Sequence, residues 1–252
     1  MMIPFFCIMT QPDLGTGLVY LFIAAIALVA GGARLKHLLI TLGIFVALFL
    51  LLLGFDEIFK TVNESGEVEY HFLKNYQRQR LFVFIDPEND TSDSGYNLRQ
   101  AQIAIGSGGF FGKGLMNGTQ AALKFLPEAP TDFIFCVLAE ELGFLGVVIL
   151  LALYIALIVV SLKIAKATDD LFAKLLVVCC VGMWVFQIFE NIGMTCGLMP
   201  ITGIPLPFIS YGSSFMIVNC VMLGFIGSVA VNGIAGNRRR LDYGTTYRPW
   251  KS

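Results

Sequence analysis

A carboxylate inside an apolar run is costly unless it is paired or put to use, so such groups are functional candidates by default. Asp13, Asp132, Glu140, Glu141 and Glu190 are of this kind, with Asn191 beside the last. Carboxylates suit acid–base work. Ser210 and Tyr211, which follow Pro205 and Pro207, add two hydroxyls. A second group is cationic: Arg78, Arg80, Arg99, Lys113 and Lys124 alternate with Asp86, Glu88, Asp90 and Asp93. A solvated charged face is the ordinary account. Arg78 and Arg80, flanked by Tyr76 and Phe82, are equally suited to hold a diphosphate by forked hydrogen bonds.

Other chemistries are poorly served. His37 and His71 are too few and too far apart for a metal cage, and no G-x-S-x-G elbow is present. The run Gly106 to Gly114 (GSGGFFGKG) fails as a phosphate loop of the Walker type, because Ser107 takes the first Gly position and Gly114 follows Lys113. It reads either as a tight loop or as backbone N–H groups and Lys113 near an anionic headgroup. The cysteines Cys7, Cys136, Cys179, Cys180, Cys196 and Cys220 lie in apolar runs without a CxxC pair, as small hydrophobes do. Seventeen Lys plus Arg against 18 Asp plus Glu give a net charge of −1, which argues against nucleic acid as a partner.

The elements that must position these groups follow from composition. The 252 residues are 56% hydrophobic and 14% charged, too little charge to dress a water-facing surface. The expectation is an all-α polytopic membrane protein, a single domain over 1–252. A helix needs about 20 apolar residues to span hydrocarbon, and five stretches qualify: 14–33, 38–55, 133–162, 171–198 and 213–235. Met1 to Met9 reads as the remnant of a sixth, so the chain looks shortened, and Met1 to Thr10 has no basic region of a signal peptide. Arg34, Lys36, Lys163, Lys166 and Arg238 to Arg240 fall in short connections on one side, which makes that side cytoplasmic.

The loop 56–131 is then extracytoplasmic, with Asp13, Asp132, Glu190, Ser210 and Tyr211 at the outer level. Glu190 stands about 28 Å up its helix at 1.5 Å per residue. Within the loop, 62–69 (VNESGEVE) reads as a mobile tip. Segments 75–80, 96–114 and 125–130 read as an ordered layer with short helices lying at the outer interface. Three Asn-x-Ser/Thr matches, at Asn63, Asn89 and Asn117, are short enough to arise by chance.

On a continuous helix, Asp132, Cys136, Ala139, Gly143 and Gly146 share one narrow stripe. Small residues there permit close helix packing or leave a groove for a lipid tail. Glu140 and Glu141 suit pairing with neighbouring helices. Asp132, next to Thr131 at a loop–helix junction, is also placed to act as a helix cap.

Several long motifs occur in order: QPDLGTG (11–17), NYQRQRLFVFIDPEND (75–90), GYNLRQAQIAIGSGGFFGKG (95–114) and GTQ (118–120). They continue with FLPEAPTDFIF (125–135), AEELGFLG (139–146) and GIPLPFISYGSS (203–214). Together they resemble the SEDS family (shape, elongation, division and sporulation), most closely its RodA branch. The resemblance covers nearly the whole chain. It implies a peptidoglycan glycosyltransferase that polymerises lipid II during cell elongation at the outer face of the bacterial cytoplasmic membrane. Implied partners are a class B penicillin-binding protein and other membrane proteins of the elongation complex.

By the same likeness, Asp132 of the TDFIF motif is the catalytic acid residue. A carboxylate there suits a general base towards the attacking sugar hydroxyl. Arg78, Arg80 and Lys113 would hold the diphosphate, with a divalent cation (Mg or Mn) as a candidate aid. Asp13, Glu140, Glu190, Ser210 and Tyr211 complete the expected substrate-binding set, and the Gly143 and Gly146 groove would take the polyprenyl tail. Two departures stand out. The family has about ten spans, of which this chain carries the motifs of the last five, and Pro130 occupies a position where relatives commonly show His. Rival accounts are a lipid-linked precursor flippase, or an inactive scaffold for a penicillin-binding protein. A transporter needs polar access from both leaflets, whereas these acids cluster on one side.

Overall fold

The computed structural model describes residues 14–34, 93–122 and 130–246, with isolated positions between 36 and 84. The elements are α1 (Leu14–Ala30), β1 (Thr61–Val62), β2 (Val68–Glu69), α2 (Asp93–Gly108), α3 (Thr119–Ala122), α4 (Ile134–Ala167), α5 (Leu171–Thr195) and α6 (Ser213–Thr246). The fold is an all-helical membrane bundle apart from one two-rung ladder. Among the described residues α4, α5 and the Ser213–Gly233 part of α6 are long and apolar enough to cross a membrane. Asp13, His37, His71, Arg78, Arg80, Cys7 and most of the expected span 38–55 lie outside the described residues.

A three-residue turn joins α4 to α5, which makes them antiparallel neighbours. Thr168 Oγ1 donates to Ile164 O at 3.1 Å and closes one helix. Asp170 Oδ1 accepts from Phe172 N at 3.1 Å and caps the next. Leu150 and Tyr154 of α4, Val177, Val181, Trp184 and Ile188 of α5, and Met222 and Ile226 of α6 form the main core. The outward faces are equally apolar, with Leu153, Ile155, Phe189, Ile217 and Phe225 exposed, as a lipid environment requires. Helix α1 packs on α5 through stacked Phe22 and Phe186 rings 4.6 Å apart, and Gly182 admits the Ile26 side chain.

One polar pair is sealed into this core. Trp184 Nε1 donates to Asn219 Oδ1 at 2.8 Å, and Asn219 Nδ2 donates to Phe215 O at 2.8 Å, both side chains being wholly buried. Asn219→Ala should strand the indole N–H and cost about 1–3 kcal/mol, read as a lowered unfolding midpoint in a detergent titration. An unchanged midpoint would deny the pair that role.

Thr61 pairs with Glu69 and Val62 with Val68 in antiparallel register, while residues 63–67 of the expected tip lie outside the described residues. Helix α2 has two faces: Tyr96 and Ile103 are exposed, while Leu98, Ala101 and Ala104 line a buried stripe against Phe133, Cys136, Met194 and Ile201. Its apolar positions recur every three residues, and two are alanines that let the helix approach closely.

Helix α4 is not continuous. Gly143 has φ 66° and ψ −165°, a region open to glycine alone, and divides α4 into a short and a long half. Helix lengths show why the division matters. From Ala167 back to Asp132 a straight helix would measure about 52 Å, whereas Leu171 to Asn191 on the antiparallel α5 is about 30 Å. Yet Asn191 Nδ2 lies 2.8 Å from Asp132 O. The short half therefore folds back at Gly143, bringing Asp132 to the end of α5.

Candidate functional site

Two structures meet at this end of the bundle. The first is a splice between the glycine run and the broken helix. In a continuous α4, Phe144 N and Leu145 N would donate to Glu140 O and Glu141 O, four residues back. Instead they donate to Gly109 O (2.9 Å) and Phe110 O (3.1 Å), while Glu140 O and Glu141 O accept from Lys113 N (3.0 Å) and Gly114 N (2.9 Å). Four bonds between segments replace two within the helix. The backbones touch, so a Cβ on Gly108, Gly112 or Gly143 would collide with main-chain atoms of the other segment. The N–H groups of Gly112, Lys113 and Gly114 are thus spent on carbonyls rather than offered as an anion cradle.

Glu140 locks the splice. Its carboxylate is wholly buried and accepts from Lys113 Nζ (2.6 Å), Thr119 Oγ1 (2.7 Å), Thr119 N (2.9 Å) and Gln120 N (3.3 Å). Lys113 Nζ also donates to Thr119 Oγ1 at 2.9 Å, which commits two of its three protons. A buried carboxylate with four donors is well satisfied, and removing its charge would leave Lys113 facing a neutral group. Glu140→Gln should lower stability by about 1–2 kcal/mol, measured as a shifted thermal midpoint in detergent. No shift would mean that the ion pair is idle.

The second structure is the 130–133 turn. The N-cap of α4 is Phe133, whose side chain makes no capping hydrogen bond. Three successive carbonyls of the turn are held: Pro130 O by Tyr211 N (2.9 Å), Thr131 O by Ser210 Oγ (2.7 Å) and Asp132 O by Asn191 Nδ2 (2.8 Å). Ser210 Oγ also accepts from Leu206 N at 2.7 Å and is buried, whereas the Tyr211 side chain is 77% exposed. Tyr154 Oη donates to Pro207 O at 2.6 Å and anchors the same 199–212 connection from α4. Glu190, also buried, accepts from Thr202 Oγ1 at 2.9 Å, and Gly15 at the start of α1 abuts Thr202. Asp132, Glu190, Ser210 and Tyr211 thus share one level, while Lys113 and Glu140 sit with the splice about two helical turns along α4.

No groove opens at Gly143, because residues 110–112 of the glycine run fill that space. The stripe drawn from Asp132 to Gly146 assumes an unbroken helix and ends at the break. An apolar hollow of about 360 Å³ lies instead between α4 and α5 around Leu151, Tyr154, Ile188 and Leu198. Among the described residues no group of three His, Cys, Asp or Glu is placed to hold a metal. The five described cysteines are unbridged. Burial pushes the Cys196 thiol up, opposed by the Thr195 hydroxyl, which suits a structural cysteine.

Thr119, Thr202 and the splice went unread in the sequence. Five glycines within nine residues, more than a tight turn needs, were the available signal.

Residues 1–233 match the family model of FtsW, RodA and SpoVE, described as cell cycle proteins. The chain belongs to this family. Among its FtsW/RodA/SpoVE relatives, it is 39% identical over 226 residues to the peptidoglycan glycosyltransferase MrdB of Escherichia coli, covering 90% of this chain and 57% of that protein. It is 45% identical over 157 residues to the peptidoglycan glycosyltransferase RodA of Treponema pallidum, covering 62% of this chain and 36% of the relative. A chain solved in a peptidoglycan synthase complex superposes with a TM-score of 0.65 at 32% identity, covering 88% of this chain and 56% of its own. The rod-shape-determining protein RodA of Thermus thermophilus gives 0.50 at 30% identity, covering 86% of this chain and 48% of its own. The chain spans about half the length of the curated relatives it matches. Family membership and the spanning helices make it an integral membrane protein.

Proposed function

We propose that the protein serves as a peptidoglycan glycosyltransferase that polymerises lipid II in cell elongation, with Asp132 as its catalytic residue. The observation that carries the proposal is the held turn at 130–132. An acid at the mouth of α4 lies in a turn whose carbonyls at 130, 131 and 132 accept three bonds from elsewhere in the bundle. That is how a group is kept in place for a reaction. MrdB and RodA, which carry the glycosyltransferase name, are 39% and 45% identical to this chain over the matched stretches.

In this proposal the Asp132 carboxylate takes the proton of a sugar hydroxyl as that oxygen bonds to the anomeric carbon of a second lipid-linked disaccharide. The bond from that carbon to undecaprenyl diphosphate breaks, and the diphosphate leaves with the electron pair. Arg78 and Arg80 offset its charge, joined by the remaining proton of Lys113. Asp13 and Tyr211 line the approach for the sugar, with Glu190 behind them, buried and bonded to Thr202. The site faces the outside of the cytoplasmic membrane, and a class B penicillin-binding protein cross-links the strands.

The test is incubation of the purified protein with lipid II in detergent, with and without a class B penicillin-binding protein and with the amino-terminal spans of a relative supplied in trans. Glycan ladders in any of these preparations support the proposal. Their absence from all of them, with the protein correctly inserted, overturns it in favour of a scaffold or transporter.

A further inference from the structure

The donor that holds Asp132 itself is Asn191. Its Nδ2 makes two bonds, to Asp132 O at 2.8 Å and to Ile204 O at 2.7 Å, and its side chain is wholly buried. Its Oδ1 has no partner among the described residues, so Asn191 bonds by donation alone. A flipped amide would set an oxygen against two carbonyl oxygens, which fixes the orientation as drawn. Asn191 is 59 residues from Asp132 in the chain and joins three segments: α5, the entry to α4 and the connection through Ile204.

We infer that Asn191 is the positioning residue for Asp132. The inference rests on the proposed role of Asp132 as general base. Three donated bonds hold the main chain of the 130–132 turn. Asn191 supplies the one at Asp132 and ties it to the carbonyl of Ile204. A displacement of about 1 Å at a reacting group can cost about 100-fold in rate. Because Asn191 is buried, it reaches the reaction only through the peptide it holds.

Asn191→Leu keeps the branching and the number of heavy atoms, in a bulkier side chain, and removes both N–H donors, while Asn191→Ala removes the side-chain bulk as well. In the preparation that forms glycan ladders, both variants should lower kcat about 10- to 100-fold with KM for lipid II unchanged. Deuterium exchange at the Tyr211 amide, bonded to Pro130 O, should speed up in both. Parental kcat in the Asn191→Leu protein would mean that packing alone matters, and it overturns the inference. An unchanged Tyr211 amide overturns it too. If the parent makes no glycan, or Asp132→Asn still does, the general-base proposal fails on its own. The exchange measurement then decides whether Asn191 holds the 130–132 turn, with faster exchange supporting it and no change refuting it.

Discussion

Asp132→Asn should insert and fold like the parent yet lose lipid II polymerisation by about 10²- to 10⁴-fold, the usual worth of a general base. The exchange of one oxygen for an amide nitrogen removes the ability to accept a proton and keeps the side chain's size and shape. The bonds that hold this stretch go to its main-chain carbonyls, which the substitution leaves untouched. The comparison is made on glycan ladders, with elution in detergent as the check on folding. Retained ladders would take the reaction away from Asp132.

Gly143→Ala should be severely damaging for a single added methyl group. The backbone there has φ 66° and ψ −165°, where an L side chain is strained by about 1–3 kcal/mol. The added Cβ would also strike Gly112 N and the Phe111 carbonyl carbon, both main-chain atoms with no rotamer to yield. Overpacking adds about 1–3 kcal/mol, so a total near 4 kcal/mol is expected, read as a collapsed yield of folded protein or a strongly lowered unfolding midpoint. Gly224→Ala is the control. It lies within α6 with nothing within 4 Å of the new methyl, and better helix propensity makes it neutral or stabilising by up to about 1 kcal/mol. Equal effects at the two positions would mean that the splice does not constrain Gly143.

Much of the architecture is legible because its cause is local. Leu171 to Thr195 and Ser213 to Gly233 are apolar over lengths that suit a bilayer, and any chain so composed must fold its backbone bonds inward as helix. Asp132 is legible for a similar reason, as an acid where a polar loop gives way to an apolar run. The division of α4 is not. Glu140 to Gly146 reads as helix throughout, since one glycine lowers helix propensity by only about 1 kcal/mol. What breaks the helix is a partner 27 residues earlier, as the Lys113–Glu140 separation shows, and hydrophobic periodicity carries no trace of it. The same holds for Asn191. Its neighbour Glu190 draws attention as a charge, whereas the amide's two carbonyl partners come from distant parts of the chain.

The splice also sets an order of assembly. A straight α4 needs only neighbouring residues and can close its ladder within about a microsecond. The spliced form must first bring the glycine run to it across a loop, which adds an entropic cost before any of the four new bonds forms. Until Lys113 and Gly114 reach the carbonyls of Glu140 and Glu141, Asp132 has no fixed relation to Asn191. The turn that carries the acid is therefore among the last parts of the molecule to take shape, and a chain stalled one step short would have every membrane helix in place but no site.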